Sequence, residues 1–174
     1  MKWLIVTAGV PALVILALLV LGLLQPVRHS ITRSIRLKQS PETVFAAIDG
    51  FETMSNSSTV LKVERLPDRD GKPVALVTLK WGHLRMVMTQ LERRPPSRMV
   101  VRMTREEGRE LGTWTYQITR ENDGCRLALT EEGEMKNPFF RAIGRMRGLD
   151  ANLKQSLAEL AGKFGQTAEI QTVP

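Results

Sequence analysis

GTWTYQITRENDGCRLALTEEGEMKNPFFRAIGRMRGLDANLKQSLAELAGKF, residues 112–164, carries the reading that decides the fold. Its opening alternates: Trp114, Tyr116 and Ile118 fall on one side, Thr113, Thr115 and Gln117 on the other, which is the period of a strand. Asn122-Asp123-Gly124 supplies hairpin chemistry, and residues 125–132 return as a second strand. Asn137-Pro138 then sets a capping side chain ahead of a proline at the first helical position, opening a long helix toward Phe164. Leu149, Leu153, Leu157, Leu160 and Phe164 recur at helical spacing, and Phe140, Ile143 and Met146 extend that stripe toward the helix start.

The pattern continues upstream. Residues 31–39 alternate imperfectly and read as a first strand, followed by Ser40-Pro41-Glu42, a hydroxyl cap, a proline and an acid in the first turn of a short helix. Val44, Phe45, Ala47, Ile48 and Phe51 give that helix an apolar face, and Gly50 marks its end. Four more strands are expected around residues 59–66, 74–80, 83–91 and 98–104, before the two around 111–119 and 125–132. Asp68-Arg69-Asp70-Gly71, Gly82, Pro95-Pro96 and the charged residues 105–110 connect them, turns that favour hairpins over crossovers. The expectation is an α+β domain: a curved antiparallel sheet of about seven strands wrapped on one long C-terminal helix, with a cavity where the two do not fill the space between them.

Residues 3–24, WLIVTAGVPALVILALLVLGLL, contain no charge and are long enough as a helix to cross the roughly 30 Å hydrocarbon core of a bilayer. Trp3 and Leu24 bound this segment, and Gln25-Pro26 followed by Arg28 ends it. A cleaved signal peptide would need a shorter apolar run and a small-x-small site at its end, neither of which is present. The division expected is a transmembrane anchor over 1–27, a globular domain over 28–165 and a disordered tail over 166–174. Arg28, Arg33, Arg36 and Lys38 follow the helix while Lys2 precedes it, so the positive-inside rule places the domain of this single-pass membrane protein on the cytoplasmic side.

The 174 residues carry a net charge of +7 and a single cysteine, Cys125, which excludes an internal disulfide and a thiolate metal cluster. Basic charge suits nucleic acid or anionic lipid, and the apolar segment puts lipid ahead; no nucleic-acid partner is expected. His29 and His83 are the two histidines and form no metal-ligand spacing, and neither a nucleophile-elbow nor a phosphate-loop motif occurs, so no metal or cofactor is expected.

RSIRLKQSPETVFAAI (33–48), GTWTYQIT (112–119) and GCRLALTEEGEMKNPFFR (124–141) together resemble the START-like superfamily of polyketide cyclase/dehydrase and lipid-transport proteins. The resemblance covers about residues 30–163 and implies the helix-grip fold with a hydrophobic cavity between sheet and C-terminal helix, used by relatives for lipids, quinones, polyketides or hormones. It implies no particular ligand and no catalytic residue by position. Phe51-Glu52-Thr53-Met54 stand where relatives carry a Trp-rich stretch.

Within that frame Met86, Met88, Met103, Trp114, Tyr116, Glu131, Phe140 and Ile143 are the candidate cavity-lining residues. Thioether side chains on neighbouring strands, Met99 among them, adapt to ligands of variable shape, and they also simply fill cores. Trp114 and Tyr116 need hydrogen-bond partners when buried, which a pocket or ordinary packing can supply. Glu131, Glu132 and Glu134 crowd one strand end: sharing a poorly solvated site would raise one pKa and suit acid–base work, whereas the alternative is a solvated strand end. Three functions follow as expectations: membrane-anchored binding of a lipid or hydrophobic small molecule, a cyclase or hydratase-type enzyme using Glu131 or Glu134 with Tyr116, and an interaction module with a solid interior.

Overall fold

The computed structural model describes residues 2–173, the side chains of residues 2–9, 11, 12, 81 and 147 excepted. Helix α1 (Lys2–Leu23) leads into strand β1 (Arg28–Leu37). The short α2 (Pro41–Ile48) follows, its first turn capped by Ser40, whose hydroxyl accepts the Thr43 N–H at 3.3 Å. After a 3₁₀ turn over Phe51–Asn56 come β2 (Val60–Arg69), β3 (Lys72–Leu79), β4 (Arg85–Arg94), β5 (Arg98–Arg105), β6 (Glu110–Glu121) and β7 (Gly124–Glu134). Helices α3 (Pro138–Arg147) and α4 (Ala151–Lys163) and a two-residue strand β8 (Gln171–Thr172) complete the chain.

The strands form one antiparallel sheet in the order β2-β3-β4-β5-β6-β7-β1-β8. Five of the joins are meander turns, and the first strand closes on the last of the meander, with unbroken register from Arg28 opposite Glu134 to Leu37 opposite Cys125. A bulge between Gln90 and Glu92 breaks the β4–β5 ladder, the device that bends a sheet. Ile35, Leu37, Val77, Met88, Leu127 and Leu129 lie on the concave face and are sealed by Leu153, Leu157 and Leu160 of α4. This is the expected helix grip, with three differences.

The C-terminal helix is broken. Gly148 takes a left-handed φ of +84°, a conformation that a side chain resists, and separates α3 from α4. The break is locked by Asp150, which is buried and whose carboxylate receives Arg33 at 2.6 Å and Lys154 at 2.9 Å. Only α4 is gripped; the stripe read as continuous from Phe140 to Phe164 divides at this point, and no described residue of α3 belongs to the main core.

The tail expected to be disordered returns to the sheet. Gln171 and Thr172 pair with Ser34 and Arg33 on the open edge of β1, Gln171 accepts from Arg126 at 3.0 Å, and Ala168 and Ile170 pack on the core. The sheet therefore has eight strands, not seven, because an unpaired edge and two apolar side chains give the tail partners.

At the other end, α1 is 22 residues long, but the side chain of Trp3 lies outside the described residues and Leu24 is an exposed residue just beyond the helix. Among the described residues no helix is long and apolar enough to cross a membrane.

Candidate functional site

Because β-strand side chains alternate, every second residue of β4, β5 and β6 faces α4, and the sequence places flexible or large groups at those positions: Met86 and Met88, Met99 and Met103, Trp114 and Tyr116. They do not fill the space beneath the helix. A cavity of about 980 Å³ remains between sheet and α4, floored by these residues with Leu127 and Leu129 and roofed by Leu157 and Leu160. The end of α2 and the 3₁₀ turn that follows form one wall, with Phe51 and Met54 facing the space.

Few polar groups reach the interior, and each is placed by its strand. Gln90 continues the inward alternation of Met86 and Met88, is buried, and donates its amide N–H to the Met99 sulfur at 3.2 Å. Trp114 and Glu131 face each other across β6 and β7, and the indole N–H donates to the Glu131 carboxylate at 3.1 Å. The other oxygen of Glu131 lies 3.6 Å from Nε2 of His29, so one half-buried carboxylate joins β7 to the start of β1. Burial pushes the Tyr116 phenol above its ordinary range, which keeps it a neutral hydroxyl able to donate or accept.

The rim is charged. Arg93 grips Asp49 with two N–H donors at 2.7 and 3.0 Å and lies over the Phe45 ring at 5.7 Å; the bond from Arg93 holds the Asp49 carboxyl below its usual value. On α4, burial works to raise the Glu159 pKa, but hydrogen bonds from Ser58, Ser57 and Gln155 outweigh it and hold that carboxyl low. Lys163 closes the same side, its ammonium donating to the Thr53 carbonyl at 3.2 Å.

Of the candidates read from sequence, Met86, Met88, Met103, Trp114, Tyr116 and Glu131 are brought together around the cavity. Phe140 and Ile143 are not: they sit on α3, which the break at Gly148 carries outside the grip. Glu132 is exposed and Glu134 pairs with Arg28 at 2.8 Å, so the three acids near the end of β7 share no site and only Glu131 turns inward. No group of His, Cys, Asp and Glu suited to a metal occurs among the described residues.

A family model described as polyketide cyclase/dehydrase and lipid transport matches residues 28–165. The chain belongs to that family. Several solved structures share its fold. A di-domain aromatase/cyclase, StfQ from the steffimycin biosynthetic pathway, is 12% identical with a TM-score of 0.64 over 79% of this chain, which spans about half (51%) of that one. The Zhui aromatase/cyclase from Streptomyces sp. R1128 is 11% identical, with a TM-score of 0.61 over 78% of this chain and 93% of its own. Protein CV1439 from Chromobacterium violaceum is 17% identical, with a TM-score of 0.58 over 78% and 96% respectively. A search of curated proteins produced no match.

Three residues in or beside the cavity of this family member escaped sequence reasoning, Gln90 and Glu159 in its lining and His29 behind Glu131. Gln90 carries a signal in hindsight, as a polar residue on the inward phase of an apolar alternation. Glu159 and His29 carry none: the first becomes a rim residue through a contact with Ser57 and Ser58 about a hundred positions away, the second through strand pairing of β1 with β7.

Proposed function

We propose that the chain holds a hydrophobic small molecule or lipid in this cavity, and that α1 keeps the cavity beside a bilayer. The observation that carries the first half is an apolar space of about 980 Å³ inside a fold whose core is otherwise closed. Cavities of roughly 300–1,000 Å³ suit small-molecule ligands, and an interior with few polar groups selects apolar ones. An interaction module with a solid interior fits poorly with such a space. The family description, which spans cyclase/dehydrase chemistry and lipid transport, points the same way.

The membrane half rests on sequence and exposure. Residues 3–24 are uncharged, the 22 residues of α1 extend about 33 Å at the helical rise, and Leu13 and Leu23 are 70% and 67% exposed. Arg28, Arg33, Arg36 and Lys38 after the apolar segment, against Lys2 before it, support the cytoplasmic face by the positive-inside rule. Tethering raises the rate at which a membrane-resident ligand meets the cavity.

The test is mass spectrometry of the organic extract of the full chain purified in mild detergent, beside a Met103→Trp variant that fills the cavity floor. A stoichiometric apolar compound, reduced severalfold by the variant, is expected. An extract with no bound compound from a folded protein would sink the reading. The membrane half is checked separately: α1 should keep the protein in the pellet through alkaline carbonate extraction.

Glu131 supports a second reading, catalysis. It is the one acid of the β7 cluster that faces the cavity, its orientation is set by Trp114 and His29, and Tyr116 lies nearby as a neutral donor. A carboxylate so placed can accept a proton from a bound substrate. Under this reading Glu131→Gln keeps ligand binding and loses any turnover of hydroxy-ketone test compounds; equal turnover by both proteins would end it.

A further inference from the structure

Helix α3 has an apolar side that stays outside the core of the domain, half-buried at Phe139 and Ile143 and exposed at Phe140 and Met146. Phe139, Phe140, Ile143 and Met146 recur on one side of the helix, while Arg141 and Arg145 occupy the other. In a helix of the core that apolar side would face the sheet. Here none of these four residues joins the core, and Phe140 and Met146 are 56% and 74% exposed.

The same helix is fastened to the end of α1. Gly22 is buried against Pro138, so closely that a Cβ there would overlap the Pro138 carbonyl. Arg141, only 7% exposed, donates Nε to the Gly22 carbonyl at 2.7 Å and Nη1 to the carbonyls of Met135 and Lys136 at 2.9 and 2.7 Å. A guanidinium at the C-terminal carbonyls of α1 satisfies acceptors the helix leaves open and opposes the negative end of its dipole. The joint therefore fixes α3 at the level where α1 ends and the apolar run of the sequence gives way to charge. Lys136 and Arg145, both exposed, flank the helix.

We propose that α3 lies in the interfacial plane of an anionic phospholipid bilayer, with Phe140 and Met146 among the upper acyl chains and Lys136 and Arg145 toward the phosphates. This rests on α1 as the membrane element of the proposed function and adds a second contact that sets the tilt of the domain. Three features argue for a lipid surface as the occupant. The exposed apolar side chains continue from those of α1, the joint is close-packed and hydrogen-bonded through Gly22, Pro138 and Arg141, and the basic flank complements anionic head groups. A ten-residue helix buries too little apolar surface to hold a membrane alone, and its tether to α1 removes that requirement.

The test uses the full chain reconstituted in phosphatidylcholine vesicles with and without phosphatidylglycerol. Nitroxide labels are placed singly at Phe140→Cys, Met146→Cys and Leu16→Cys; the native Cys125 is buried and does not compete. The readout is the ratio of collision with oxygen to collision with a water-soluble nickel chelate. Positions 140 and 146 are expected to show a severalfold higher ratio than a label at the exposed Lys72, and the rise should be larger with phosphatidylglycerol. If position 16 reads as lipid while 140 and 146 read as water, α1 inserts and the proposal for α3 is overturned. If 140 and 146 read as lipid while 16 reads as water, α3 docks and the spanning role of α1 is what fails. Water at all three positions overturns both, and equal ratios in the two vesicle types overturn the anionic preference.

Discussion

Asp150 shows how much one residue settles here. Its carboxylate ties β1, through Arg33, to the start of α4, where Lys154 takes the same oxygen. Hydrogen bonds from Lys154 and Arg33 hold its pKa below the ordinary value. Protonation therefore favours the unfolded chain: the stabilisation is present above the unfolded carboxyl value of about 3.9 and is lost as pH falls through the lower folded value. The midpoint of thermal unfolding should drop on acidification below about pH 4, and Asp150→Asn should show a shallower drop. At neutral pH that variant leaves the Arg33 guanidinium without its carboxylate, and chemical denaturation should register a loss of about 2 kcal/mol, the scale of a part-buried hydrogen bond between charged groups. Sequence shows Asp150 only as an acid two residues after Gly148; its partner Arg33 is 117 positions away. Glu131 was legible as an acid near a strand end, but its separation from Glu132 and Glu134 follows from the alternation of β7 and from Arg28 opposite Glu134.

At the scale of elements, the meander was readable because each turn announces itself and each strand carries its own period. The C-terminal helix was not, since Phe140, Ile143, Met146, Leu149 and Leu153 keep an apolar stripe running through the break. Gly148 decides between one helix and two by adopting a left-handed φ that a continuous helix cannot contain. Gly148→Ala should cost about 1–2 kcal/mol, the penalty for a side chain in that conformation, as read by denaturant titration. A variant as stable as the parent would mean that the break is maintained by Arg33 and Asp150 alone. The two helices should also differ in protection: α4 buries Leu153, Leu157 and Leu160, whereas no described residue of α3 joins the core, so hydrogen exchange should be faster in α3.

For the whole molecule, the cavity is the consequence of a bent sheet held off a single helix by large side chains. A ligand that binds only the folded form stabilises it by about 2.7 kcal/mol at a hundred times its dissociation constant. Delipidated protein should therefore unfold at a lower temperature than protein supplied with its extract, and the difference should shrink in Met103→Trp. Local information alone determined the seven long strands, the short helix after β1, the order of the meander, the apolar leading segment and the residue types that face α4, because turn chemistry, capping and periodicity act over a few residues. The tertiary structure decided the size of the cavity, the return of the tail to the edge of β1, the break before α4 and the inward turn of Glu131. Each of these depends on groups far apart in the chain competing for the same space or the same hydrogen bonds, and no local pattern records who wins.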